Sequence, residues 1–240
     1  MKTIFITGAS RGIGRAVALA AAGRFNVAAV YNKSAEAAET LIAEIRKKGA
    51  AVAVKADVTD YAEVAAAYAK AVDTFGKVDV VVTAAGIAEQ KLFCDITESD
   101  WRRMFDVNVM GTRNAVAAAL PAMISRKRGK IITIASVWGE TGASCEVHYS
   151  ASKAAVIGLT KALAKEVGLS GIEVNCVSPG AIRTDMLNGL SPEDLSAFAA
   201  ETPLNRIGSP EEVAAAVMFL AENAGFISGA VIPVNGGYHI

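Results

Sequence analysis

The sequence predicts an α/β fold in which a seven-stranded parallel sheet is doubly wound between two helical layers. Short runs rich in β-branched residues alternate with longer, alanine-rich amphipathic stretches along all 240 residues. The strand runs are apolar throughout, which is typical of a sheet that helices cover on both faces. A glycine-rich turn follows the first strand and opens the first helix, as in folds that bind nucleotides at a strand end.

Each predicted element has a run of its own. The strands are expected at Thr3–Thr7, Val27–Tyr31, Ala51–Ala56, Val78–Thr83, Lys130–Ala135, Ile172–Val177 and Val231–Val234. The helices are expected near 12–24, 34–48, 60–75, 98–125, 149–169 and 210–222. One segment, about 182–209, breaks the alternation. Ser191 and Pro192 start a short extra helix there, and such an insertion near strand ends could form a lid.

The alternation continues without a linker, which predicts a single domain over residues 1–240. We expect its cofactor half at about 1–130 and its catalytic and substrate half at about 131–240. Lys+Arg and Asp+Glu number 24 each, so no global field favours nucleic acid or an anionic membrane. The expected partner is therefore a small molecule.

Three further features bear on location. The cysteines at 94, 145 and 176 are odd in number and widely spaced, which fits neither a disulfide framework nor a metal site and favours a reducing cytoplasm. The chain enters a strand within three residues, without a charged and apolar leader. No apolar run approaches the length that spans a bilayer. A soluble, cytoplasmic protein is expected.

The turn Thr7–Gly14 predicts a pyrophosphate site, because backbone amides and a helix N-terminus meet there. Gly8 permits the tight turn, and Gly12 and Gly14 allow close approach of backbone and phosphate. The spacing is G-x-x-x-G-x-G rather than the commoner G-x-G-x-x-G of Rossmann dinucleotide sites. The other interpretation is an ordinary glycine-rich turn.

The end of the second strand bears on the choice between NAD and NADP. NAD sites usually place an acid there. This chain has no carboxylate before Glu36, and Lys33 and Arg11 could clamp a 2′-phosphate, so NADP(H) is favoured. The expected contacts in this stretch are Tyr31, Asn32, Lys33 and Ser34. The alternative is that both cations are simply solvated. Asp57, after the third strand, could contact the adenine or cap the next helix.

Tyr149 and Lys153 are four residues apart on one predicted helix, so both side chains project from the same face. An ammonium beside a phenol favours the ionised phenol and lowers its pKa from about 10. With Ser136 upstream, the pair predicts a hydride-transfer site in which Tyr149 is the acid. Taken singly, the tyrosine and lysine spacing can arise by chance and Ser136 can be a turn former.

In combination these motifs resemble the short-chain dehydrogenase/reductase family over essentially the whole chain. Thr7–Gly14 is similar to T-G-x-x-x-G-x-G, and Ser136, Tyr149 and Lys153 to its S…Y-x-x-x-K set. Asn108 is similar to the helix asparagine of that family. The tail Val234–Gly237 resembles that of bacterial 3-oxoacyl-(acyl-carrier-protein) reductases, which are typically NADPH-dependent tetramers.

The resemblance implies roles for these residues. Ser136 would hydrogen-bond the substrate carbonyl, Tyr149 would give the proton, and Lys153 would hold the ribose and lower the tyrosine pKa. Asn108 would position a water that reprotonates Tyr149 through Lys153. Expected cofactor contacts, besides those at the second strand, are Gly8, Ser10, Arg11, Gly12, Ile13, Gly14, Asp57, Val58, Ala84, Ala85, Gly86, Pro179, Gly180, Ile182 and Thr184.

Two departures from the family pattern stand out. After the fourth strand the chain reads Thr83-Ala84-Ala85-Gly86, so a side-chain amide usual in the family is missing. Ser170 stands where many carrier-protein reductases have Arg. A basic run, Arg126–Lys130, could still receive an acidic carrier protein, although such a run is more often a solvated helix end.

The predicted substrate wall contains Trp138, Glu140 and Glu146, which suggest a polar and even cationic substrate end. This stretch resembles the loop of the elongation-factor P 5-aminopentanone reductases, which reduce a ketone carried on a lysine of a translation factor. The two carboxylates could equally face water or bond within the loop.

The sequence therefore predicts an NADPH-dependent carbonyl reductase without a metal, most similar to 3-oxoacyl-(acyl-carrier-protein) reductases and expected as a homotetramer. One alternative is an aminoketone reductase acting on elongation factor P. The other is a pseudo-reductase that senses NADP(H) or acts as a scaffold, since a fold does not by itself give activity.

Overall fold

The chain forms one three-layer α/β/α unit in a computed structural model that describes residues 1–189 and 191–240. Within that range the sheet has seven parallel strands in the order β3-β2-β1-β4-β5-β6-β7. The strands are β1 Lys2–Thr7, β2 Phe25–Tyr31, β3 Ala51–Lys55, β4 Val80–Thr83, β5 Gly129–Ile134, β6 Ile172–Pro179 and β7 Val231–Val234. The predicted fold class is confirmed.

Helices connect successive strands. They are α1 Gly12–Ala21, α2 Ala35–Arg46, α3 Tyr61–Phe75, α4 Glu98–Phe105, α5 Gly111–Arg126, α6 Trp138–Thr141, α7 Val147–Val167, α8 Pro192–Glu201 and α9 Pro210–Glu222. The helix predicted at 98–125 is interrupted by a π-helical turn, Asp106–Met110. The extra helix predicted after Ser191 is present as α8, which Ser191 caps together with Asp194. Residue 190 of the predicted insertion lies outside the described residues.

Two apolar layers hold the helices to the sheet. On one face, residues such as Ile4, Val17 and Val217 bury α1, α2 and α9 against the strands. On the other face, residues such as Phe5 and Val116 bury α3, α5 and α7. Side chains on both faces of the sheet are apolar, which suits a sheet that lies between two helical layers.

The sheet order reverses between β1 and β4, which are neighbours although two strands separate them in sequence. In open parallel sheets, ligands bind at the carboxyl ends of the strands beside such a reversal. The segments that follow β1, β4, β5 and β6 all lie at that edge. They carry the glycine turn, the Ala84–Gly86 turn, Ser136 and Gly180 respectively.

Candidate active site

The glycine turn packs too closely for side chains at two of its positions. Gly8 has a φ of 67°, in the left-handed region, and a Cβ there would lie 2.6 Å from the Cα of Ala85. A Cβ on Gly14 would lie 2.3 Å from the carbonyl oxygen of Gly8. The turns after β1 and β4 and the start of α1 are therefore in direct backbone contact.

The N-terminus of α1 leaves its amides available. Arg11 occupies the N-cap position without a side-chain cap, and the first turn has no acidic residue. Ser10 is buried and Ile13 half-buried beside these amides. A Cβ on Gly12 would lie 3.5 Å from the Thr184 methyl, so the segment after β6 faces the turn. Such an end can bind a phosphate.

The segment Pro179–Thr184 is fixed from several sides. The Val137 amide donates to the Pro179 carbonyl at 2.9 Å. A Cβ on Gly180 would lie 2.9 Å from the Cα of Asn235, so the chain's tail packs against this turn. Ile182 is buried, and the Thr184 hydroxyl donates to its carbonyl at 3.4 Å. The glycine turn and this segment thus form two sides of one cleft.

Lys33 follows β2, and Arg11 stands at the N-cap of α1. Both are exposed, and neither makes an ion pair within residues 1–189 and 191–240. Tyr31 and Ser34 are half-buried. Asn32 Nδ2 donates to Asp57 Oδ2 at 2.9 Å, which links the ends of β2 and β3.

Asp57 does not cap the next helix. Its carboxylate accepts from the amide and hydroxyl of Thr59, at 2.9 and 2.8 Å, and the hydrogen bond from this amide lowers its pKa. Asp60 caps α3 instead by accepting from Ala62 and Glu63 amides. Val58 is buried against Gly111, where a Cβ would lie 2.7 Å from a Val58 methyl. Asp57 therefore joins the ends of β2 and β3, whereas the Val58 side chain packs against α5. Contact of either residue with a cofactor stays a prediction.

Ser136, Tyr149 and Lys153 are almost wholly buried, with 7, 6 and 6% of their surfaces exposed. The ammonium of Lys153 lies 5.7 Å from the centre of the Tyr149 ring. It donates to the Ile134 carbonyl at 3.0 Å. The Ser136 hydroxyl accepts from the Trp138 amide at 3.2 Å. Strand β5 and helix α7 thus bring together the three side chains that the sequence singles out.

The expected lowering of the tyrosine pKa is not found in this structure. Burial raises the pKa of Tyr149 to about 12, whereas a hydrogen bond with Ser136 acts in the opposite direction. Burial also lowers the pKa of Lys153 to about 8. Lys153 bonds the Ile134 backbone carbonyl rather than the phenol, so desolvation determines the direction in which the Tyr149 pKa shifts.

Asn108 lies in the π-helical turn and is fully engaged. Its Oδ1 accepts from the Ile87 amide at 2.9 Å, and its Nδ2 donates to the Ile87 carbonyl at 3.0 Å and to the Ser152 hydroxyl at 2.9 Å. A Cβ on Gly86 would lie 3.3 Å from Asn108 Oδ1 and 3.4 Å from Lys153 Nζ. Asn108 therefore fixes the Ala84–Gly86 turn beside Lys153. We call Asn108, Ser136, Tyr149 and Lys153 the reaction centre.

Trp138 forms a wall of this centre. Its ring lies edge-on to Tyr149 at 6.2 Å between centroids, and Phe198 of α8 lies 5.9 Å away on the same indole. Helix α8 has no fully buried residue among those described. The insertion therefore reaches the site through Phe198, and its role as a lid stays a prediction.

The two loop carboxylates have different surroundings. Glu140 is exposed, but its Oε1 accepts from the Ser178 hydroxyl on β6 at 2.5 Å. Glu146 is 4% exposed, and its Oε2 has no hydrogen-bond partner among the described residues. Burial raises the pKa of Glu146 to about 7, against a hydrogen bond with Gln90. Glu140 thus ties α6 to β6, whereas Glu146 remains available.

Sequence reasoning missed Glu89 and Gln90, which follow β4 and reach the loop before α7. Glu89 Oε2 lies 3.5 Å from Nε2 of His148, which is completely buried and stacks on Trp101 at 6.4 Å. Neither His148 nitrogen has a hydrogen-bond partner within the part of the chain that is described. The contact between Glu89 and His148 joins two segments that are far apart in the sequence, so residue spacing could not reveal it. We call Glu89, Gln90, Glu146 and His148 the acidic cluster.

The basic run is largely committed to the fold. Arg126 Nη2 donates to the Val78 carbonyl at 2.7 Å. Lys130 Nζ pairs with Glu173 at 2.6 Å and donates to the carbonyls of Leu220 in α9 and of Ala224 just after it. The run precedes β5 and so lies at the opposite sheet edge from Ser136. Arg126, Lys127 and Arg128 are exposed and make no ion pair in residues 1–189 and 191–240. Arg126 is held by its hydrogen bond to Val78.

Residues 1–189 and 191–240 contain no group of three or more His, Cys, Asp or Glu side chains arranged to hold a metal ion. None of their helices combines the length and apolarity that crossing a membrane would require.

Known proteins match the chain from end to end. A family described as Enoyl-(Acyl carrier protein) reductase matches residues 8–239. The 3-oxoacyl-[acyl-carrier-protein] reductase FabG of Staphylococcus aureus N315 is 41% identical, covering 100% of this chain and 98% of the relative. A Synechocystis 3-oxoacyl-[acyl-carrier-protein] reductase is 42% identical, covering 97% of this chain and 94% of its own.

A solved structure is similarly close. The 3-oxoacyl-[acyl-carrier protein] reductase of Brucella melitensis superimposes with a TM-score of 0.92 at 36% identity. The superposition covers 100% of this chain and 92% of the other. The similarity thus extends over the glycine turn, the reaction centre and the tail.

Proposed function

Because the chain belongs to the short-chain dehydrogenase/reductase family and is an oxidoreductase of CH–OH/C=O groups, we propose that it reduces the ketone of a 3-oxoacyl thioester with NADPH. The observation that carries the proposal is the convergence of buried Ser136, Tyr149 and Lys153 at the strand edge where the glycine turn lies. The relatives named above supply the substrate class.

The family implies a nicotinamide cofactor, and the residues present fit one. The close backbone contacts at Gly8 and Gly14 and the uncapped start of α1 suit a diphosphate. Exposed Lys33 and Arg11, with no acid at the end of β2, support NADPH over NADH. Residues proposed to contact it are those of the glycine turn, Tyr31–Ser34, Asp57, Ala84–Gly86 and Pro179–Thr184.

The reaction centre divides the chemistry. When bound, the nicotinamide supplies the hydride. The Ser136 hydroxyl donates a hydrogen bond to the substrate carbonyl oxygen and steadies the charge that grows there. The Tyr149 hydroxyl then gives its proton to that oxygen. The charge of Lys153 favours the tyrosinate left behind, and we propose that it also holds the ribose.

Burial keeps Tyr149 protonated until it is needed. With a pKa of about 12 the phenol holds its proton throughout the physiological range. A developing alkoxide is more basic than a phenolate, so the transfer is downhill at that stage. Trp138 and Phe198 of α8 pack beside Tyr149 and reduce the access of water to the centre, which strengthens these interactions.

A catalytically idle sensor is disfavoured, because every residue of the reaction centre is present and all four converge. An aminoketone on elongation factor P stays an alternative substrate. A carrier protein stays a proposed partner, and Arg126, Lys127 and Arg128 are the exposed cations of the basic run. A cytoplasmic location is supported by three free cysteines.

A homotetramer is proposed from the family resemblance. Exposed apolar side chains such as Met110, Leu169 and Phe226 are consistent with surfaces that other copies cover. Analytical ultracentrifugation would test this, because a monomer at micromolar concentration would contradict it.

The deciding experiment follows NADPH oxidation with acetoacetyl thioesters, using Tyr149→Phe as the inactive control. Turnover by the wild type and not by the control supports the proposal. If no 3-oxoacyl thioester is reduced, the proposed substrate class is wrong.

A further inference from the structure

The short helix α6 is in direct contact with two residues of the reaction centre. Its first residue, Trp138, donates its amide to the Ser136 hydroxyl oxygen at 3.2 Å. Because this bond uses an oxygen lone pair, the hydroxyl keeps its proton for another acceptor, such as a substrate carbonyl. On the other side of the helix, a Cβ on Gly139 would lie 2.7 Å from the carbonyl carbon of Lys153. The position of α6 therefore bears on both Ser136 and α7.

The side chain of Glu140 fixes this helix to strand β6. Its Oε1 accepts from the Ser178 hydroxyl at 2.5 Å, although 38 positions separate the two residues in sequence. Ser178 is completely buried, and within residues 1–189 and 191–240 its hydroxyl makes no other hydrogen bond. Loss of the acceptor would leave a buried donor unpaired, which is unfavourable. We call the hydrogen bond between Glu140 and Ser178 the α6 anchor.

Strand β6 leads from the anchor into a segment that is proposed to contact the cofactor. Pro179 follows Ser178 at the end of the strand, and the proposed segment is Pro179–Thr184. The Val137 amide, just before α6, donates to the Pro179 carbonyl at 2.9 Å. This end of the segment adjoins the reaction centre, so the part of the cofactor that it meets is the nicotinamide, which supplies the hydride. The anchor thus joins the helix that orients Ser136 to the strand that leads to the hydride donor.

Helix α6 depends on such contacts for its position. It has only four residues, and a helix of one turn is not stable by itself. Thr141, the next residue after Glu140, provides a contrast. It is exposed, and its hydroxyl donates only to the Val137 and Gly142 carbonyls, at 3.2 and 3.1 Å, within the same loop. Thr141 therefore does not tie the helix to β6.

We propose that Glu140 is a positioning residue for hydride transfer, because the α6 anchor sets the substrate carbonyl at Ser136 against the nicotinamide at Pro179–Thr184. The inference rests on the proposed carbonyl reduction and deepens it. Hydride transfer requires the reacting atoms to be about 3–3.5 Å apart, so a small shift of α6 slows the chemical step without weakening binding. The property that Glu140 contributes is an oxygen that accepts from Ser178. An amide oxygen at the same place should serve as well.

The test follows single-turnover hydride transfer from NADPH to an acetoacetyl thioester by stopped-flow absorbance. Glu140→Ala and Ser178→Ala should each lower the rate constant about tenfold or more, on the scale that a misplacement of about 1 Å can cost. The KM for the thioester and the affinity for NADPH should stay within about twofold of wild type, because the lost contact acts in the chemical step. The double variant should be no slower than either single variant, since all three lack the same bond.

Two matched variants separate the anchor from a general disturbance of the loop. Glu140→Gln keeps an acceptor for Ser178, and Thr141→Val alters a neighbouring side chain that does not reach β6. Both should retain a rate constant within about twofold of wild type. An equal loss in Glu140→Gln and Glu140→Ala would show that charge is what matters, and additive losses in the double variant would show two independent effects. Either result, or a normal rate in Glu140→Ala, would overturn the inference while leaving carbonyl reduction intact.

If wild type reduces no 3-oxoacyl thioester, the proposed function fails separately. The fluorescence lifetime of bound NADPH then decides the inference without turnover, because it reports how the nicotinamide ring is held. A lifetime that changes in Glu140→Ala and in Ser178→Ala but is kept in Glu140→Gln supports the anchor. Equal lifetimes in all variants refute it.

Discussion

The reaction centre and the acidic cluster meet near the start of α7, but their polar side chains differ in hydrogen bonding. In the reaction centre, Asn108 bonds the Ile87 backbone at both ends and Lys153 bonds a carbonyl. In the acidic cluster, Glu146 Oε2 and both His148 nitrogens have no hydrogen-bond partner among the described residues. The proposed catalytic side chains are therefore fixed by hydrogen bonds, whereas Glu146 and His148 are buried with polar atoms that have no such bonds within the described residues.

The strongest test of the reaction centre is Tyr149→Phe, which removes the only proposed proton donor and keeps the ring. Turnover should fall about 10²–10⁴-fold, the usual worth of a positioned acid. NADPH affinity, followed by fluorescence titration, should hardly change, because the glycine turn is untouched. Near-normal turnover would remove Tyr149 from the mechanism and break the contrast between the two regions.

The next largest effect is expected from Gly14→Ala. Its Cβ would lie 2.3 Å from the Gly8 carbonyl oxygen, so α1 must move away from β1. We expect NADPH affinity to fall at least about tenfold and the free energy of unfolding to drop by more than about 1 kcal/mol. Gly225→Ala is the matched control, because a Cβ there meets nothing within 4 Å. Unchanged NADPH affinity in Gly14→Ala would show that the turn can shift to accept a Cβ, which would contradict this prediction.

Cofactor choice provides a smaller effect. Lys33→Ala should weaken NADPH binding about tenfold and leave NADH binding nearly unchanged, since a charge-assisted hydrogen bond to phosphate is worth about 1.5–3 kcal/mol. Lys47→Ala, another exposed lysine, is the control. Isothermal titration that finds equal wild-type affinity for both nucleotides would refute the role of Lys33.

Local patterns predicted the fold and the convergence of the reaction centre, because both depend on short-range rules. Apolar strand runs specify a covered parallel sheet. The four-residue spacing of Tyr149 and Lys153 puts them on one helical face. The strand-end position of Ser136 brings it to the same edge. These inferences need no knowledge of side-chain environment.

What sequence could not give depends on contacts between distant segments. Glu140 and Glu146 look equivalent in the loop, yet one meets Ser178 on β6 and the other is buried without a partner for Oε2 among the described residues. Spacing predicted a lowered pKa for Tyr149, but its burial, a tertiary property, raises that pKa. The sequence offered Asp57 as a possible cap of the next helix, but the backbone geometry places Asp60 at the N-cap of α3.

The acidic cluster should also be visible as a pH-dependent loss of stability. Folding raises the pKa of Glu146 from 4.5 to about 7, so between these values the folded chain keeps a proton that the unfolded chain releases. The free energy of unfolding therefore falls as pH rises through that window, by at most about 3 kcal/mol and, after residual solvation, by about 1 kcal/mol. Glu146→Gln lacks this titration. Its stability relative to wild type should be about 1 kcal/mol higher at pH 8 than at pH 4.5, measured by urea unfolding.

Glu140→Gln is the control for loss of a carboxylate from the same loop, because Glu140 is exposed and bonded to Ser178. The gain in stability between pH 4.5 and pH 8 should be larger in Glu146→Gln, since of the two carboxylates only Glu146 is buried. If Glu146→Gln differs from wild type equally at both pH values, Glu146 titrates normally. It would then not be the poorly solvated carboxylate that distinguishes the acidic cluster from the reaction centre.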